Sequence, residues 1–155
     1  ENTNLSRMLD QTVSEFYPIL TEKNLTWNVD IAPDVWILCD RDKLARVFDN
    51  LIRNAVAYSY ENSEISLSME TQKYKVEIIL KNSGKTIPPQ KLAHIFEQFY
   101  RADSSRSSST GGSGLGLAIA KEILELHGGM VQAFSKDETI AFVLSLPLDC
   151  GKSLP

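Results

Sequence analysis

The chain reads as a two-layer α/β sandwich, with helices on one face of a mixed, mostly antiparallel sheet. Three observations predict it. Leu5–Leu20 and Asp40–Tyr58 carry apolar residues at the 3.6-residue spacing of a helix with one buried stripe. Segments that alternate apolar and polar residues follow, two around Gln72 and two at the end of the chain, as half-buried strands do. Between these pairs stands Gly112-Ser113-Gly114-Leu115-Gly116-Leu117-Ala118-Ile119-Ala120, where alternating glycines run straight into an apolar, helix-forming segment. Layering such helices on such a sheet buries both apolar surfaces.

Each element has its own signal. Leu5, Met8, Leu9, Val13, Phe16 and Tyr17 form the first helical stripe, which is expected to end at Pro18 or shortly after. Trp27, Val29 and Ile31 alternate with polar residues, and Val35 to Cys39 follows a Pro-Asp turn, so both read as strands. The central helix, Asp40 to Tyr58, has the strongest pattern, with Leu44, Val47, Phe48, Leu51, Ile52 and Ala55 on one stripe. Ile65, Leu67 and Met69 alternate, as do Val76, Ile78 and Leu80, and the polar turn between them predicts an antiparallel hairpin. A short helix follows Pro89. Ala102 to Ser109 is polar and aperiodic, cannot bury enough apolar surface to order itself, and reads as a mobile loop. The helix Leu115–Leu126 is closed by Gly128-Gly129, and strands near Met130–Phe134 and Ile140–Leu146 complete the order.

The bulk properties exclude several classes. A length of 155 residues suits a single domain, 1–155, with a normal core. A net charge of −4 with scattered lysines and arginines argues against a nucleic-acid surface. No stretch is apolar over a membrane-spanning length, and no signal peptide opens the chain. Cys39 and Cys150 stand far apart and suggest neither a disulfide framework nor a zinc site, which fits a reducing, cytoplasmic setting. The opening Glu1-Asn2-Thr3 lacks an initiator methionine, so a fragment of a longer protein is expected.

The glycine run has a chemical meaning. Glycine lets the backbone approach a phosphate closely, and the first turn of the following helix offers unpaired N–H groups and a positive dipole end. A P-loop needs Gly-Lys followed by Ser or Thr, and no lysine stands there. A dinucleotide fingerprint opens the first βα turn, whereas this run comes late. A polar loop ending in a glycine-rich helix start suggests a lid over a nucleotide; the plain alternative is a flexible surface loop.

Other candidates lie elsewhere. Asn50 and Asn54 are four apart on the central helix and share a face at the edge of the apolar stripe, with Asp49 and Arg53 turned to solvent. Their amide oxygens suit a hydrated Mg²⁺, which prefers hard oxygen ligands and keeps several waters; structural bonding to nearby backbone is the alternative. Asn82-Ser83-Gly84 at a strand end, with Ile87 after it, suits an adenine pocket in which Asn82 accepts from the exocyclic amine. Alone it is only a turn. Phe96, Phe99 and Tyr100 form an aromatic hinge before the loop, and Arg101 can fork onto a phosphate. His127 reads as a helix-capping residue and His94 as a surface or packing one.

In this order the four signals resemble the four boxes of the catalytic, ATP-binding domain of sensor histidine kinases, over about Leu5 to Pro147. Asp40-x-x-x-Leu44-x-Arg46-Val47, Asn50-Leu51-Ile52-x-Asn54-Ala55 and Glu125-Leu126-His127-Gly128-Gly129 sharpen the match. Asn54-Ala55-Val56-Ala57-Tyr58-Ser59 and Arg106-Ser107-Ser108-Ser109-Thr110-Gly111-Gly112 are similar to the VanS-type sensor kinases of vancomycin resistance. The resemblance implies a Bergerat-type fold and a protein-histidine kinase that uses ATP and Mg²⁺. Asn54 then matches the metal-binding asparagine, and Asn50 the residue orienting phosphate and metal. Tyr58 matches a residue beside the adenine, while Asn82, Gly84 and Ile87 fall in the base pocket. Arg101, Gly112, Gly114, Leu115, Gly116 and Leu117 match the phosphate-contacting hinge and lid. Neither histidine sits in a phosphoacceptor context, so the implied substrate is a histidine on the protein's own dimerisation domain, absent here. The implied partners are that domain and a cognate response regulator. The full-length protein is then a homodimeric membrane protein, with this domain cytoplasmic and monomeric as a fragment.

The chain departs from the family pattern in four places. Asn82 replaces an aspartate, keeping a carbonyl acceptor but losing a charge-assisted bond. Thr86 replaces a glycine, Ala57 a phosphate-facing lysine, and Ala141 falls where a threonine often helps bind the base. Related ATPases of the gyrase, MutL and HSP90 types, and the anti-sigma serine kinases, place a glutamate where Asn50 stands. That glutamate activates water; asparagine cannot take a proton at neutral pH, which fits transfer to a nucleophilic histidine. The alternatives are another ATPase of this fold or a degenerate binding module without turnover.

Overall fold

The computed structural model describes residues 1–98 and 116–148. The elements run β1 (Asn2–Asn4), α1 (Leu5–Glu22), β2 (Thr26–Ile31), β3 (Trp36–Leu38), α2 (Arg41–Tyr58), β4 (Glu64–Thr71) and β5 (Lys75–Ser83). Then come α3 (Pro89–Leu92), α4 (Gly116–Leu126), β6 (Met130–Lys136) and β7 (Thr139–Pro147). Five strands form one sheet in the order β2-β4-β5-β7-β6. β2 and β4 are parallel, and the other pairings are antiparallel.

Alternation decides which face is buried. Ile65, Leu67 and Met69, Val76, Ile78 and Leu80, and Ile140, Phe142, Leu144 and Leu146 all point inward. The helices cover that side: Leu5, Leu9 and Phe16 of α1, all six predicted stripe residues of α2, and Ala120, Ile123 and Leu124 of α4. All of them join one hydrophobic core. This is the sandwich the pattern predicts.

Two local outcomes differ from expectation. α1 continues through Pro18 to Glu22. Proline cannot donate to the carbonyl of residue 14, but Ser14 and Pro18 both lie on the exposed side, where water can bond that carbonyl. Leu20, meanwhile, is buried, so the apolar stripe holds the last turn in place. The second outcome is that the Trp36–Leu38 strand leaves the main sheet. It pairs antiparallel with β1, a strand with no sequence signal, and the Cys39 N–H donates to the Glu1 carbonyl at 3.0 Å.

Caps set the positions of the site-bearing helices. Asp40 is the N-cap of α2 and accepts from the Lys43 N–H at 3.2 Å. Gly128, two residues past the end of α4, takes φ +77°, a conformation open to glycine at no steric cost. His127 binds in two directions. Its Nε2 accepts from the Asp40 N–H at 3.0 Å, so Nδ1 carries the proton and donates to the Ile123 carbonyl at 2.8 Å. The end of α4 is thereby tied to the start of α2.

Candidate functional site

The site forms where the C-terminal half of α2, the end of β5 and the start of α4 meet. Asn50 and Asn54 both lie half-buried along α2. Asn50 Nδ2 donates to the carbonyl of Gly116, the first residue of α4, at 3.1 Å. A Cβ on Gly116 would meet Asn50 Cγ at 3.7 Å, so the two residues are in close contact. Asn54 differs: among the described residues its amide makes no hydrogen bond. The structural reading of the pair therefore applies to Asn50 and leaves the Asn54 amide available. Arg53, on the solvent side, pairs with Asp49 at 2.9 Å and lies over the Phe16 ring.

Helix α2 ends with a partly buried Tyr58 and is closed by a residue that sequence reasoning missed. Lys23 Nζ donates to the carbonyls of Val56 at 2.8 Å and Ala57 at 3.2 Å. Burial holds its ammonium below the usual lysine range, with Glu61 opposing the shift. Thirty-three residues separate donor and acceptor, so no local pattern could reveal the contact.

Asn82 sits at the end of β5, 3% exposed, opposite Ile140 of β7. Its Nδ2 is buried without a hydrogen-bond partner; among the described residues only Trp27 Nε1 shares that condition. Gly84 follows. A Cβ there would lie 2.2 Å from the Tyr58 carbonyl oxygen, so glycine lets the chain pass directly against the end of α2.

The loop after Gly84 is anchored to the β6–β7 turn. The Gly84 N–H donates to the Glu138 carbonyl at 3.0 Å, and the Glu138 N–H donates to Thr86 Oγ1 at 2.7 Å. The Ile87 N–H donates to Ser135 Oγ at 2.8 Å, and Ile87 packs against the core. Asp137 and Glu138 form a two-residue turn with φ of 52° and 59°, a costly conformation for residues other than glycine. Three bonds hold Glu138 in it, the third from the Tyr60 hydroxyl at 3.1 Å. Thr86 thus has a structural partner that its replacement of glycine did not suggest.

One expectation is corrected by the strand register. Ala141 pairs with Lys81, on the face of the sheet opposite Asn82, so it does not line the base pocket. Ile140 holds the inward position instead. Phe96 packs edge-on against Phe142, with ring centroids 6.0 Å apart. His94, half-exposed, contacts Glu97 at 2.6 Å. Gly116 and Leu117 open α4 beside Asn50, whereas Phe99, Tyr100, Arg101, Gly112, Gly114, Leu115 and the serine-rich loop lie outside the described residues.

Among the described residues no three histidine, cysteine or acidic side chains cluster to cage a metal. The neutral oxygens of Asn54 and Asn50 fit an ion that arrives with phosphate oxygens and retained waters.

A half-buried helix face bearing two amides, a buried amide at a strand end and a glycine-led helix start are the parts of a nucleotide-binding α/β sandwich. Residues 39–149 match the model of the histidine kinase-, DNA gyrase B- and HSP90-like ATPases, and the chain belongs to that family. It is 52% identical over 147 residues to the sensor protein VanSC of Enterococcus gallinarum, covering 95% of this chain and 40% of the relative. It is 49% identical over 140 residues to the sensor protein VanS of Enterococcus faecium, covering 90% and 36%. The chain thus spans well under half of these relatives. Among solved structures, the catalytic domain of the histidine kinase ThkA superposes with a TM-score of 0.84 at 25% identity, covering 96% of this chain and 95% of that one. The mycobacterial sensor histidine kinase MprB gives 0.85 at 25% identity, covering 96% and 98%. The chain is accordingly a histidine-kinase-type catalytic, ATP-binding domain.

Proposed function

We propose that this domain binds ATP with Mg²⁺ and transfers the γ-phosphoryl group to a histidine on the dimerisation domain of its own protein. That protein would be a homodimeric membrane sensor kinase, passing the phosphoryl group to a response regulator in signalling linked to vancomycin resistance. The likeness to VanSC and VanS supports the last step, as does a solved complex of ThkA with the response regulator protein TrrA that resembles this chain with a TM-score of 0.78 at 25% identity. Among the described residues no helix is long and apolar enough to cross a membrane.

The observation that carries the reading is the division of labour between the two amides. Asn50 ties α2 to the start of α4, while the Asn54 amide makes no hydrogen bond among the described residues. In this arrangement Asn54 would offer its oxygen to Mg²⁺, and Asn50 would hold the α4 N-terminus toward the phosphates. The ion, when bound, neutralises charge on the phosphate oxygens. Asn50 cannot take a proton from water, so the site favours a substrate that is already nucleophilic. Catalysis is then positioning and charge neutralisation. Mixing the domain with its dimerisation domain and labelled ATP should leave acid-labile phosphate on a histidine of the latter. Phosphoserine there would overturn the reading.

A further inference from the structure

We propose that the base end of this site accepts 6-oxopurine nucleotides as well as 6-aminopurine ones, because the group that reads the base is an amide. The inference rests on the nucleotide reading above. Asn82 is 3% exposed, and its Nδ2 is buried with no hydrogen-bond partner. A buried donor in that condition is costly and calls for an acceptor. Its surroundings do not meet the need. Ile65 and Ile140, opposite it on the two neighbouring strands, are apolar. Gly84, whose Cβ would lie 3.2 Å from Nδ2, has no side chain.

A carboxylate in this place would carry acceptors alone. It would pair with the 6-amino group of adenine but turn lone pairs toward ring N1, and toward the 6-oxo oxygen of hypoxanthine. An amide carries an acceptor and a donor side by side. In one orientation Oδ1 accepts from the 6-amino N–H while Nδ2 donates to N1. Turned end for end, Nδ2 donates to the 6-oxo oxygen while Oδ1 accepts from N1–H. The two orientations have the same shape, and Nδ2 has no protein partner for the turn to break. Either purine edge then satisfies both ends of the amide.

ADP and IDP differ only at the base, so titration calorimetry of this chain with each, in Mg²⁺, reads the amide directly. IDP should bind within about tenfold of ADP, since each edge receives one matched pair of hydrogen bonds. Asn82→Asp should widen the preference for ADP to about 100-fold, the scale on which mismatched polar groups discriminate bases. A wild-type preference for ADP well above tenfold overturns the inference and leaves the nucleotide reading standing. So does a ratio that Asn82→Asp leaves unchanged while that variant remains folded by circular dichroism. Binding of neither nucleotide to folded wild-type chain overturns both. The wild-type ratio needs no variant, so the inference stays testable even if Asn82→Asp does not fold.

Discussion

At the scale of single residues, Asn50 and Asn54 carry the same functional group one helical turn apart, and their surroundings give them different work. Asn50 is engaged with Gly116; Asn54 is not engaged among the described residues. Asn54→Asp keeps size and an oxygen but adds charge beside the phosphates. Because Asn54 has no hydrogen bond among the described residues to lose, the variant's melting temperature should stay close to wild type. Phosphotransfer should fall about 100-fold, the cost of a small misplacement at a reacting centre. A variant that melts early yet phosphorylates normally where folded would end the metal assignment. That Asn50 and Asn54 share one face of the helix was legible from spacing alone, but which of the two Gly116 would engage was not, since that depends on where α4 begins in space. Ala141 shows the same limit. A side chain's face depends on register, and Lys81↔Ala141 pairing turns it away from Asn82.

At the scale of elements, the end of α2 positions both Tyr58 and the chain beside Gly84, and Lys23 closes that end. Lys23→Met keeps the apolar stem and loses two donors to carbonyls. The expected loss is about 1–2 kcal/mol in chemical denaturation, with nucleotide binding weakened in the same variant. The pH dependence has a definite sign. Burial lowers the folded-state pKa of Lys23 below its unfolded value near 10.5, so the unfolded chain holds the proton over that interval. Wild type should therefore gain stability relative to Lys23→Met as pH rises from the lowered value toward 10.5. An unchanged difference across alkaline pH would contradict the burial of this amine. Helices and the β4–β5 and β6–β7 hairpins were readable because their periodicity is local. β1 was not, because Asn2–Asn4 becomes a strand only through pairing with Trp36–Leu38. Nor was the full length of α1, since the stop at Pro18 is overridden by burial of Leu20.

At the scale of the whole molecule, the site exists only when distant parts of the chain meet. Asn54 and Tyr58 come from α2, Asn82 and Gly84 from the end of β5 and the residue just past it, and Gly116 from α4, and unfolding separates all three. A nucleotide that binds here binds the folded state alone and must stabilise it by mass action. With ADP at about 100 times its Kd, the gain is about 2.7 kcal/mol. For a domain of this size that raises the melting temperature by about 5–10 °C. No acidic cluster among the described residues holds Mg²⁺ unaided, so the metal should matter only when nucleotide is present. Mg²⁺ alone should then leave the melting temperature unchanged, ADP with EDTA should raise it little, and ADP with Mg²⁺ should give the full shift. Equal shifts with and without Mg²⁺ would remove the metal from the site. No shift under any condition, at ADP concentrations into the millimolar range, would remove the nucleotide as well, leaving a domain of this fold whose buried Asn82 amide answers to some other ligand.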